Sequence, residues 1–184
     1  MPSESLRDEL VGFAREKGST KKIRDEVAQL FLEARDDVYR YLLTLGLYPP
    51  QAQEAAQEVF LRLYTTLRKG EEIHNYRAWI FRVAHNLGLK IRGRQNPLVS
   101  FDPEIEAQLA SPVADPEHTL LDRERSRQVH HAVEGLSEQQ RRCLFLRLEG
   151  LRYPEIGATL GISASAVGEF LRRAIQRLRK AANE

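Results

Sequence analysis

The sequence contains a single cysteine and no long run of apolar residues. Because Cys143 has no second cysteine to pair with, a disulfide within the chain is excluded, and such sparing use of cysteine is typical of a reducing compartment. No stretch approaches the roughly 18 consecutive apolar residues of a membrane-spanning helix, and the first residues lack the apolar segment of a secretory signal. We therefore expect a protein of the cytoplasm.

Signatures of catalysis and metal binding are also missing. The five histidines include one adjacent pair, His130 and His131, whose side chains would point about 100° apart on a helix and are poorly placed to share a metal ion. No HExxH motif, glycine-rich phosphate loop or nucleophile motif occurs. A small enzyme built on the histidines stays an alternative, but the sequence predicts no catalytic residue, no metal and no cofactor.

Charge is balanced overall but unevenly distributed. The chain has 28 Lys and Arg against 26 Asp and Glu, a net charge of +2 with histidine neutral. Residues 95–118 include four of the eight prolines and several acids but no Lys or Arg, whereas residues 79–94 contain no acid. We interpret the first stretch as a linker. The predicted division is an N-terminal extension, a first domain, a linker and a second domain, at residues 1–21, 22–95, 96–125 and 126–184.

Apolar residues recur every three or four positions, which predicts helices, and no stretch alternates as a half-buried strand would. A run from Ile23 to Leu45 predicts a long helix, preceded by a short helix that ends at Gly18. Further helices are expected at about 49–70, 77–92, 132–136, 139–148, 153–160 and 164–181. The predicted fold class is therefore all-α, with two helical domains joined by a flexible, acidic, proline-containing linker.

The segment from Tyr153 to Val167 has the signals of a helix-turn-helix. Gly161 tolerates the left-handed backbone of a tight turn, and Ser163 is a good N-cap for the helix that follows. Apolar residues on both sides are spaced to pack two short helices against each other. Because such units commonly insert their second helix into the major groove, the segment predicts binding to duplex DNA.

One face of the last helix carries groups that can contact DNA. At about 100° per residue, Val167, Leu171 and Ala174 share an apolar face. The opposite face combines hydroxyl, carboxylate, amide and guanidinium groups: Ser165, Glu169, Arg172, Arg173 and Gln176. These groups can hydrogen-bond to base edges and phosphates. A basic helical face alone is usually just solvated, so this interpretation depends on the adjacent turn signals.

The third helix predicts a second basic surface. Its outer face and the loop before it are expected to expose polar and aromatic groups: Asn75, Tyr76, Trp79, Arg82, His85, Asn86, Leu89 and Arg92. Aromatic rings beside cationic groups can stack on unpaired bases. The alternative is that Trp79 and Phe81 simply fill the core, since aromatic residues dominate cores.

Leu61 is expected near the middle of the polar face of the second helix. Its surroundings on that face are polar: Glu54, Gln57, Glu58 and Thr65. An apolar anchor with a polar rim is a reasonable docking spot for another protein's helices. The alternative is that this leucine is one of the isolated exposed apolar residues that most proteins carry.

Two blocks of residues in this order resemble the extracytoplasmic-function (ECF) class of bacterial sigma factors, small members of the sigma-70 family. In the first domain, AAQEVFLRLY at 55–64 resembles the polymerase-binding helix of the family, and YRAWIFRVAHNL at 76–87 resembles its promoter-melting segment. In the second domain, LSEQQRR at 136–142, YPEI at 153–156 and LGIS at 160–163 resemble its fourth conserved region.

The resemblance implies an alternative sigma factor, a non-catalytic subunit that binds core RNA polymerase and directs it to promoter DNA. By this analogy Glu54, Gln57, Glu58 and Leu61 would contact the polymerase. The minus-ten element would be captured and opened by residues of the third helix and its preceding loop, namely Asn75, Tyr76, Trp79, Arg82, Asn86 and Arg92. The minus-thirty-five element would be read by the helix-turn-helix, namely by Ser163, Ser165, Glu169, Arg172, Arg173 and Gln176.

Two further expectations follow from the family. An anti-sigma factor would hold many relatives inactive, and exposed Phe81, Leu89 and Phe170 would suit such a partner. In the last helix, AVGEF at 166–170 stands where the family often has a Thr-Val-Lys-Ser-Arg run. The Lys and Arg are lost, Gly168 weakens the helix and Glu169 adds a negative charge, so weaker phosphate binding is expected there. The rival interpretation is a stand-alone helix-turn-helix regulator that binds DNA without polymerase.

Overall fold

The computed structural model describes the backbone of residues 4–94 and 132–182, and the side chains of residues 20–94 and 132–180. Every regular element in these ranges is helical, which confirms the all-α prediction. Residues 132–134 form a short helical segment, and six longer helices are α1 (Glu4–Thr44), α2 (Pro49–Arg68), α3 (Tyr76–Arg92), α4 (Glu138–Leu148), α5 (Tyr153–Leu160) and α6 (Ala164–Ala182). None of the helices in the described ranges is both long and apolar enough to span a bilayer.

Helix α1 is one unbroken element of 41 residues. The prediction of a separate short helix ending at Gly18 is therefore wrong. A single glycine inside a helix costs only about 1 kcal/mol relative to alanine, and the flanking residues are mostly good helix formers without proline. The first break comes at Gly46, where φ is +89° and the chain turns towards Pro49.

Helices α1, α2 and α3 form the first lobe around a core rich in leucine and alanine. The predicted apolar face of α2 is buried, with Val59 and Leu63 fully enclosed. Helix α3 lies so close to α1 that a Cβ added to Gly88 would come within 2.6 Å of a methyl carbon of Leu45. Small residues at this crossing therefore set how closely the two helices approach.

Helices α4, α5 and α6 form the second lobe. Helix α4 begins with a capping box, because the Ser137 hydroxyl accepts from the Gln140 backbone N–H while the Gln140 side chain accepts from the Ser137 backbone N–H. Cys143 faces the core as predicted, and burial raises the pKa of its thiol to about 11. Helix α6 contributes the buried side chains of Val167, Leu171 and Ala174 to the same core.

The turn between α5 and α6 has helix-turn-helix geometry. Gly161 adopts φ +69°, as predicted for the left-handed turn residue, and the Ser163 hydroxyl accepts from the backbone N–H of Ala166. The carbonyl of Gly157 accepts from the Ile162 N–H at 3.0 Å. A Cβ at Gly157 would lie 2.6 Å from the Ile162 carbonyl oxygen, so only glycine fits this turn.

The two lobes pack against each other through aromatic rings. Phe145 of α4 lies with its ring centroid 5.3 Å from that of Tyr41 and 6.4 Å from that of Phe81. Phe81 is fully buried, which corrects the expectation that it is exposed for a partner. His85, expected on the outer face, is only 4% exposed, and its Nδ1 lies 2.9 Å from the Tyr41 hydroxyl. Both corrections have one cause: the second lobe covers this side of α3.

Gly157 and Gly168 provide a matched pair of glycine-to-alanine changes in one lobe. We expect Gly157→Ala to lower the free energy of unfolding by about 2 kcal/mol, because its Cβ would collide with backbone that cannot move aside. In Gly168→Ala the added Cβ makes only an ordinary contact with the Tyr153 ring. This change should raise the free energy of unfolding by about 0.5 kcal/mol. Urea denaturation of both variants measures the difference, and equal effects would contradict the described turn.

The buried His85 predicts a pH dependence of stability. Burial, with the charge of Arg142 nearby, lowers the pKa of His85 to about 4 from 6.5. Below pH 6.5 the unfolded state therefore binds a proton that the folded state does not. Stability should fall by about 1.4 kcal/mol per pH unit as pH drops from 6.5 towards 4, approaching about 3 kcal/mol in total.

The His85 contribution is isolated by comparing urea denaturation at pH 7 and pH 4.5. His85→Gln should lose this part of the pH dependence, whereas His74→Gln, which alters an exposed histidine of the same lobe, should keep it. If both variants retained the full slope, a neutral buried His85 would be ruled out.

Candidate nucleic-acid and protein-binding surfaces

Helix α2 presents the predicted docking residues on one exposed face. Glu54, Gln57, Glu58 and Leu61 are spaced by three or four residues, opposite the buried Val59 and Leu63. The Leu61 side chain is 60% exposed although large and apolar. An i,i+4 ion pair of 2.7 Å between the Glu58 and Arg62 side chains rims it. We call these four residues the α2 surface.

The start of α3 is fixed by Asn75. Its side-chain Oδ1 accepts from the backbone N–H of Ala78 at 3.1 Å, an N-cap that satisfies one of the unpaired donors at the helix end. At the same end, Tyr76 makes a hydrogen bond with Glu26 of α1. This bond raises the pKa of the Tyr76 hydroxyl. These contacts fix where the polar face of α3 begins.

Four predicted DNA residues share that polar face: Asn75, Trp79, Arg82 and Asn86. Arg82 and Asn86 are exposed, whereas Trp79 is half-buried, so its ring both packs against the core and keeps an accessible part. The core packing of Trp79 is therefore observed, and base stacking by its ring stays a prediction. We call the six predicted minus-ten residues the α3 surface, although Arg92 lies on another side of the helix.

The second lobe touches the α3 surface at two of its six residues. The Asn75 Nδ2 donates to the Glu155 carboxylate at 2.7 Å, and the Arg92 Nη1 donates to the Glu138 carboxylate at 2.6 Å. Glu138 also pairs with Arg142, whose side chain is largely buried. Hydrogen bonding from Arg92, with the charge of Arg142 nearby, lowers the pKa of Glu138.

An ion-pair network that the sequence analysis did not predict centres on Arg77. Its guanidinium donates to the Asp37 carboxylate of α1 at 2.8 Å, to the Glu149 backbone carbonyl at 2.7 Å, and to the Glu149 carboxylate. Burial raises the pKa of Glu149, although Arg77 opposes this shift. No local pattern could have found this contact, since Arg77 and Glu149 are 72 residues apart in the sequence.

Side chains on the predicted DNA face of α6 hydrogen-bond to one another. Glu169 accepts from Arg172 and from Arg173, each at 2.8 Å, and Arg172 also donates to Gln176 at 3.2 Å. Ser165 is exposed beside them. Ser163 caps the helix through its hydroxyl. We call these six residues the α6 surface.

Glu169 partly neutralises the α6 surface. Hydrogen bonds from Arg172 and Arg173 lower the pKa of its carboxyl to about 2, so it is ionised at neutral pH. A DNA phosphate approaching either guanidinium must compete with this carboxylate. The expected weakening of phosphate binding thus has a concrete source.

Potential metal ligands are not grouped in the described ranges. Among the residues that the structure describes, no three histidine, cysteine or acidic side chains are grouped so that they could hold a metal ion. His130 and His131, together with the predicted linker at 96–125, lie outside the described residues. The described arrangement is therefore a set of three surfaces: an apolar spot on α2 and two basic faces on α3 and α6.

Comparison with protein families places both lobes in one family. Residues 30–96 match sigma-70 region 2, and residues 126–178 match sigma-70 region 4. The two matches cover the parts of the chain that contain the α2, α3 and α6 surfaces.

Several sigma factors are similar in sequence to this chain. The ECF RNA polymerase sigma factor SigE of Mycolicibacterium smegmatis is 28% identical over 82% of this chain, which spans only 59% of that relative. The RNA polymerase sigma-H factor of Pseudomonas aeruginosa is 29% identical, covering 71% of this chain and 72% of the relative. The ECF RNA polymerase sigma-E factor of Escherichia coli K12 is 28% identical, covering 94% and 92%.

Two solved structures share the fold. CnrH, solved in complex with the cytosolic domain of CnrY, superimposes with a TM-score of 0.57 at 17% identity, covering 91% of this chain and 94% of that one. The sigma factor RpoE of Bartonella quintana, in complex with the anti-sigma factor NepR, gives 0.60 at 18% identity, covering 86% and 97%. At such low identities these structures support the fold alone.

The Glu169 cluster predicts the effect of removing one carboxylate. Glu169→Gln should strengthen binding to duplex DNA about threefold at low salt, because two guanidinium groups become free to contact phosphates. The slope of log affinity against log salt should steepen by about one. Fluorescence anisotropy with a labelled 30-base-pair duplex of mixed sequence measures both quantities.

Glu58→Gln is the matched control for this change, since it removes an exposed helical carboxylate, paired with Arg62, from the other lobe. It should leave the salt slope unchanged. An unchanged slope in Glu169→Gln as well would mean that Arg172 and Arg173 do not contact DNA.

Proposed function

The chain belongs to the sigma-70 family of RNA polymerase sigma factors, and from this premise we propose that it is an alternative sigma factor of the ECF class. It binds core RNA polymerase and directs it to a set of promoters. The observation that carries the proposal is the pairing of two family regions, in the family's order, with three separate exposed surfaces on the lobes that they form. The protein contributes binding energy and specificity, and the polymerase performs the chemistry.

The α2 surface is the proposed contact with core polymerase. Leu61 is 60% exposed, and covering the exposed part of such a side chain contributes about 1 kcal/mol to binding. The polar groups of Glu54 and Gln57 around it can hydrogen-bond to a partner's helices, which fixes orientation. This division between an apolar anchor and a polar rim supports a helix-on-helix contact.

The α3 surface is the proposed site of minus-ten recognition and promoter opening. Arg82 attracts the phosphates of a separated strand, and the accessible part of Trp79 offers a face on which a base can stack. Opening requires no hydrolysis, because stacking and hydrogen bonding to extruded bases offset the few kcal/mol lost on unpairing. Asn86, on the same face, can donate to and accept from a base edge.

The α6 surface is the proposed reader of the minus-thirty-five element as duplex. The exposed first turn of a recognition helix enters the major groove, and Ser165 lies in that turn. Arg172 and Arg173 are about two turns further along and reach phosphates or guanine edges once Glu169 releases them.

The remaining features of the proposal concern organisation and control. The extension at 1–21, the two domains at 22–95 and 126–184, and the linker at 96–125 keep the boundaries expected from composition. We place the protein in the cytoplasm, where its polymerase works. An anti-sigma factor is the proposed inhibitor, with Leu89, which is exposed, and Phe170, which is half-buried, as apolar contacts.

A stand-alone regulator is not favoured. Such a protein would need only the second lobe for DNA and would leave the match of residues 30–96 to sigma-70 region 2 without a role. It would bind a palindromic duplex tightly as a dimer, without polymerase.

Gel filtration with bacterial core RNA polymerase tests the proposal directly. The purified chain should co-elute with the core enzyme, and the complex should start transcripts at discrete positions on genomic DNA fragments. Leu61→Arg should weaken co-elution at least tenfold, because a cation would be forced into an apolar contact, while leaving the circular dichroism spectrum unchanged.

Leu32→Arg is the control, since Leu32 is an equally large leucine, 71% exposed on α1 of the same lobe. It should co-elute like the unmodified chain. Tight binding to duplex DNA without any co-elution would instead establish the stand-alone regulator, and co-elution of Leu61→Arg would move the docking surface elsewhere.

A further inference from the structure

A cavity of about 220 Å³ lies where the ends of α1 and α3 meet the start of α4. One wall is the chain at 44–46, which ends α1, and the rest of the lining is charged: Arg92, Glu138, Arg141 and Arg142. Organic ligands usually occupy pockets of roughly 300–1,000 Å³, so this cavity suits a smaller guest. We call these four charged residues the arginine pocket.

The arginine pocket has an excess of positive charge. Its three guanidinium groups stay protonated throughout the physiological range of pH. The one carboxylate in the lining belongs to Glu138, and hydrogen bonding from Arg92 lowers the pKa of that carboxyl, so it is ionised at neutral pH. Three positive charges against one negative charge leave an excess that a doubly charged anion would balance.

Arg142 forms the floor of the pocket. Its side chain is only 9% exposed, whereas the side chains of Arg92 and Glu138 at the mouth are 48% and 55% exposed. Among the described residues Arg142 donates to Glu138 through Nη2, and its buried Nε has no partner. A guanidinium has five N–H donors, so this buried cation still has donors to offer an acceptor.

Arg141 is in a similar condition. Its Nη2 donates to the backbone carbonyls of Glu134 and Leu136 at 3.3 and 3.4 Å, which is long for an N–H···O bond. Its buried Nε also lacks a partner in the described ranges. Buried polar atoms in native proteins nearly always have a hydrogen-bond partner. Two that lack one, on adjacent arginines lining one cavity, indicate guanidinium groups arranged for an anion.

We propose that the arginine pocket binds a small, doubly charged phosphate group, as carried by inorganic phosphate and by phosphomonoesters. The phosphate oxygens accept charge-assisted hydrogen bonds from Arg92, Arg141 and Arg142, whose planar donors match phosphate geometry. Glu138 stays beside the anion as the one repulsive group and limits its affinity. Arg92 precedes the linker and the other two arginines follow it, so both lobes contribute to the site.

A phosphate of the DNA backbone fits this pocket less well than a terminal phosphate group. A phosphodiester carries one negative charge and has a sugar on each side, and both sugars would have to be accommodated at the mouth of a small cavity. The largely buried Arg142 is within reach of a terminal phosphate more readily than of one inside a continuous strand. The pocket therefore differs in its ligand from the α3 surface, although Arg92 belongs to both.

Nuclear magnetic resonance of the full chain tests the site, with methyl phosphate as the probe. At about pH 7.5 this phosphomonoester is mostly doubly charged, because its second pKa is about 6. The Nε–Hε cross-peaks of Arg141 and Arg142 are assigned by their loss in Arg141→Gln and Arg142→Gln. Both cross-peaks should shift saturably as methyl phosphate replaces chloride at constant ionic strength.

Two further anions define the chemistry of the ligand. Dimethyl phosphate, a singly charged diester that represents the DNA backbone, should bind at least tenfold more weakly than methyl phosphate because it has half the charge and fewer free oxygens. Inorganic phosphate should shift the same cross-peaks. Tighter binding of inorganic phosphate than of methyl phosphate would identify the free ion as the ligand, and the reverse would identify a phosphomonoester.

Substitutions in the pocket should change the affinity in opposite directions. Arg142→Gln should weaken methyl phosphate binding at least tenfold, as followed by the Arg141 cross-peak, because a guanidinium that holds the anion is lost. Glu138→Gln should strengthen binding about fivefold, because it removes the negative charge beside the anion. Since Glu138 is 55% exposed, this second variant avoids any change in the buried core.

Arg177→Gln and Glu33→Gln are the matched controls. Each removes the same charge from an exposed helical position outside the pocket, the first on α6 and the second on α1. Both should bind methyl phosphate like the unmodified chain.

Four results would overturn the phosphate site: no saturable shift, equal binding of dimethyl phosphate, an unchanged affinity in Glu138→Gln, or a loss in Arg177→Gln as large as that in Arg142→Gln. The last would mean that the anion responds only to the net charge of the chain. Neither polymerase nor DNA enters the experiment, so its outcome is independent of the proposed function.

Discussion

Helix α3 must be covered on two sides, and the rest of the structure follows from this constraint. Ile80 and Ala84 are buried, and Gly88 lets α3 approach the end of α1 closely. Phe81 and His85 are buried against Tyr41 of α1, and Phe145 of the second lobe lies against the Tyr41 and Phe81 rings. The second lobe therefore completes a core that begins in the first lobe.

The sequence predicted every helix after α1 to within a few residues, together with the turn at Gly161. Helical spacing finds one buried face reliably, because residues three and four apart must share it. It cannot find a second buried face created by a distant part of the chain. His85 was therefore wrongly expected on the exposed side. For Phe81 the core alternative is confirmed and the exposed contact is wrong. Gly18 was wrongly expected to end a helix, although nothing at that position favours a break.

The candidate surfaces were predictable to different degrees. Exposure of Leu61, Arg82 and Arg172 follows from helix position, and the structure has each of them accessible. What sequence could not supply is the state of the charges, since pairs such as Arg92 with Glu138 join residues 46 positions apart. A net charge of +2 conceals this arrangement, in which carboxylates of the chain already lie against the arginines proposed to meet DNA. A phosphate that binds at these arginines would therefore displace an internal carboxylate as well as water.

Arg77 has a carboxylate in each lobe. Although partial burial acts to raise it, the pKa of Asp37 is lowered by hydrogen bonds from Arg77 and Arg40, so this acid is charged at neutral pH whatever the second lobe does. When Glu149 leaves, it regains hydration, and the guanidinium keeps a partner within its own lobe. With or without Glu149, no buried charge is left without a partner. Leaving such a charge unpaired is the usual cost of breaking a buried ion pair. Separation of the two lobes would therefore leave the Arg77 guanidinium paired with Asp37.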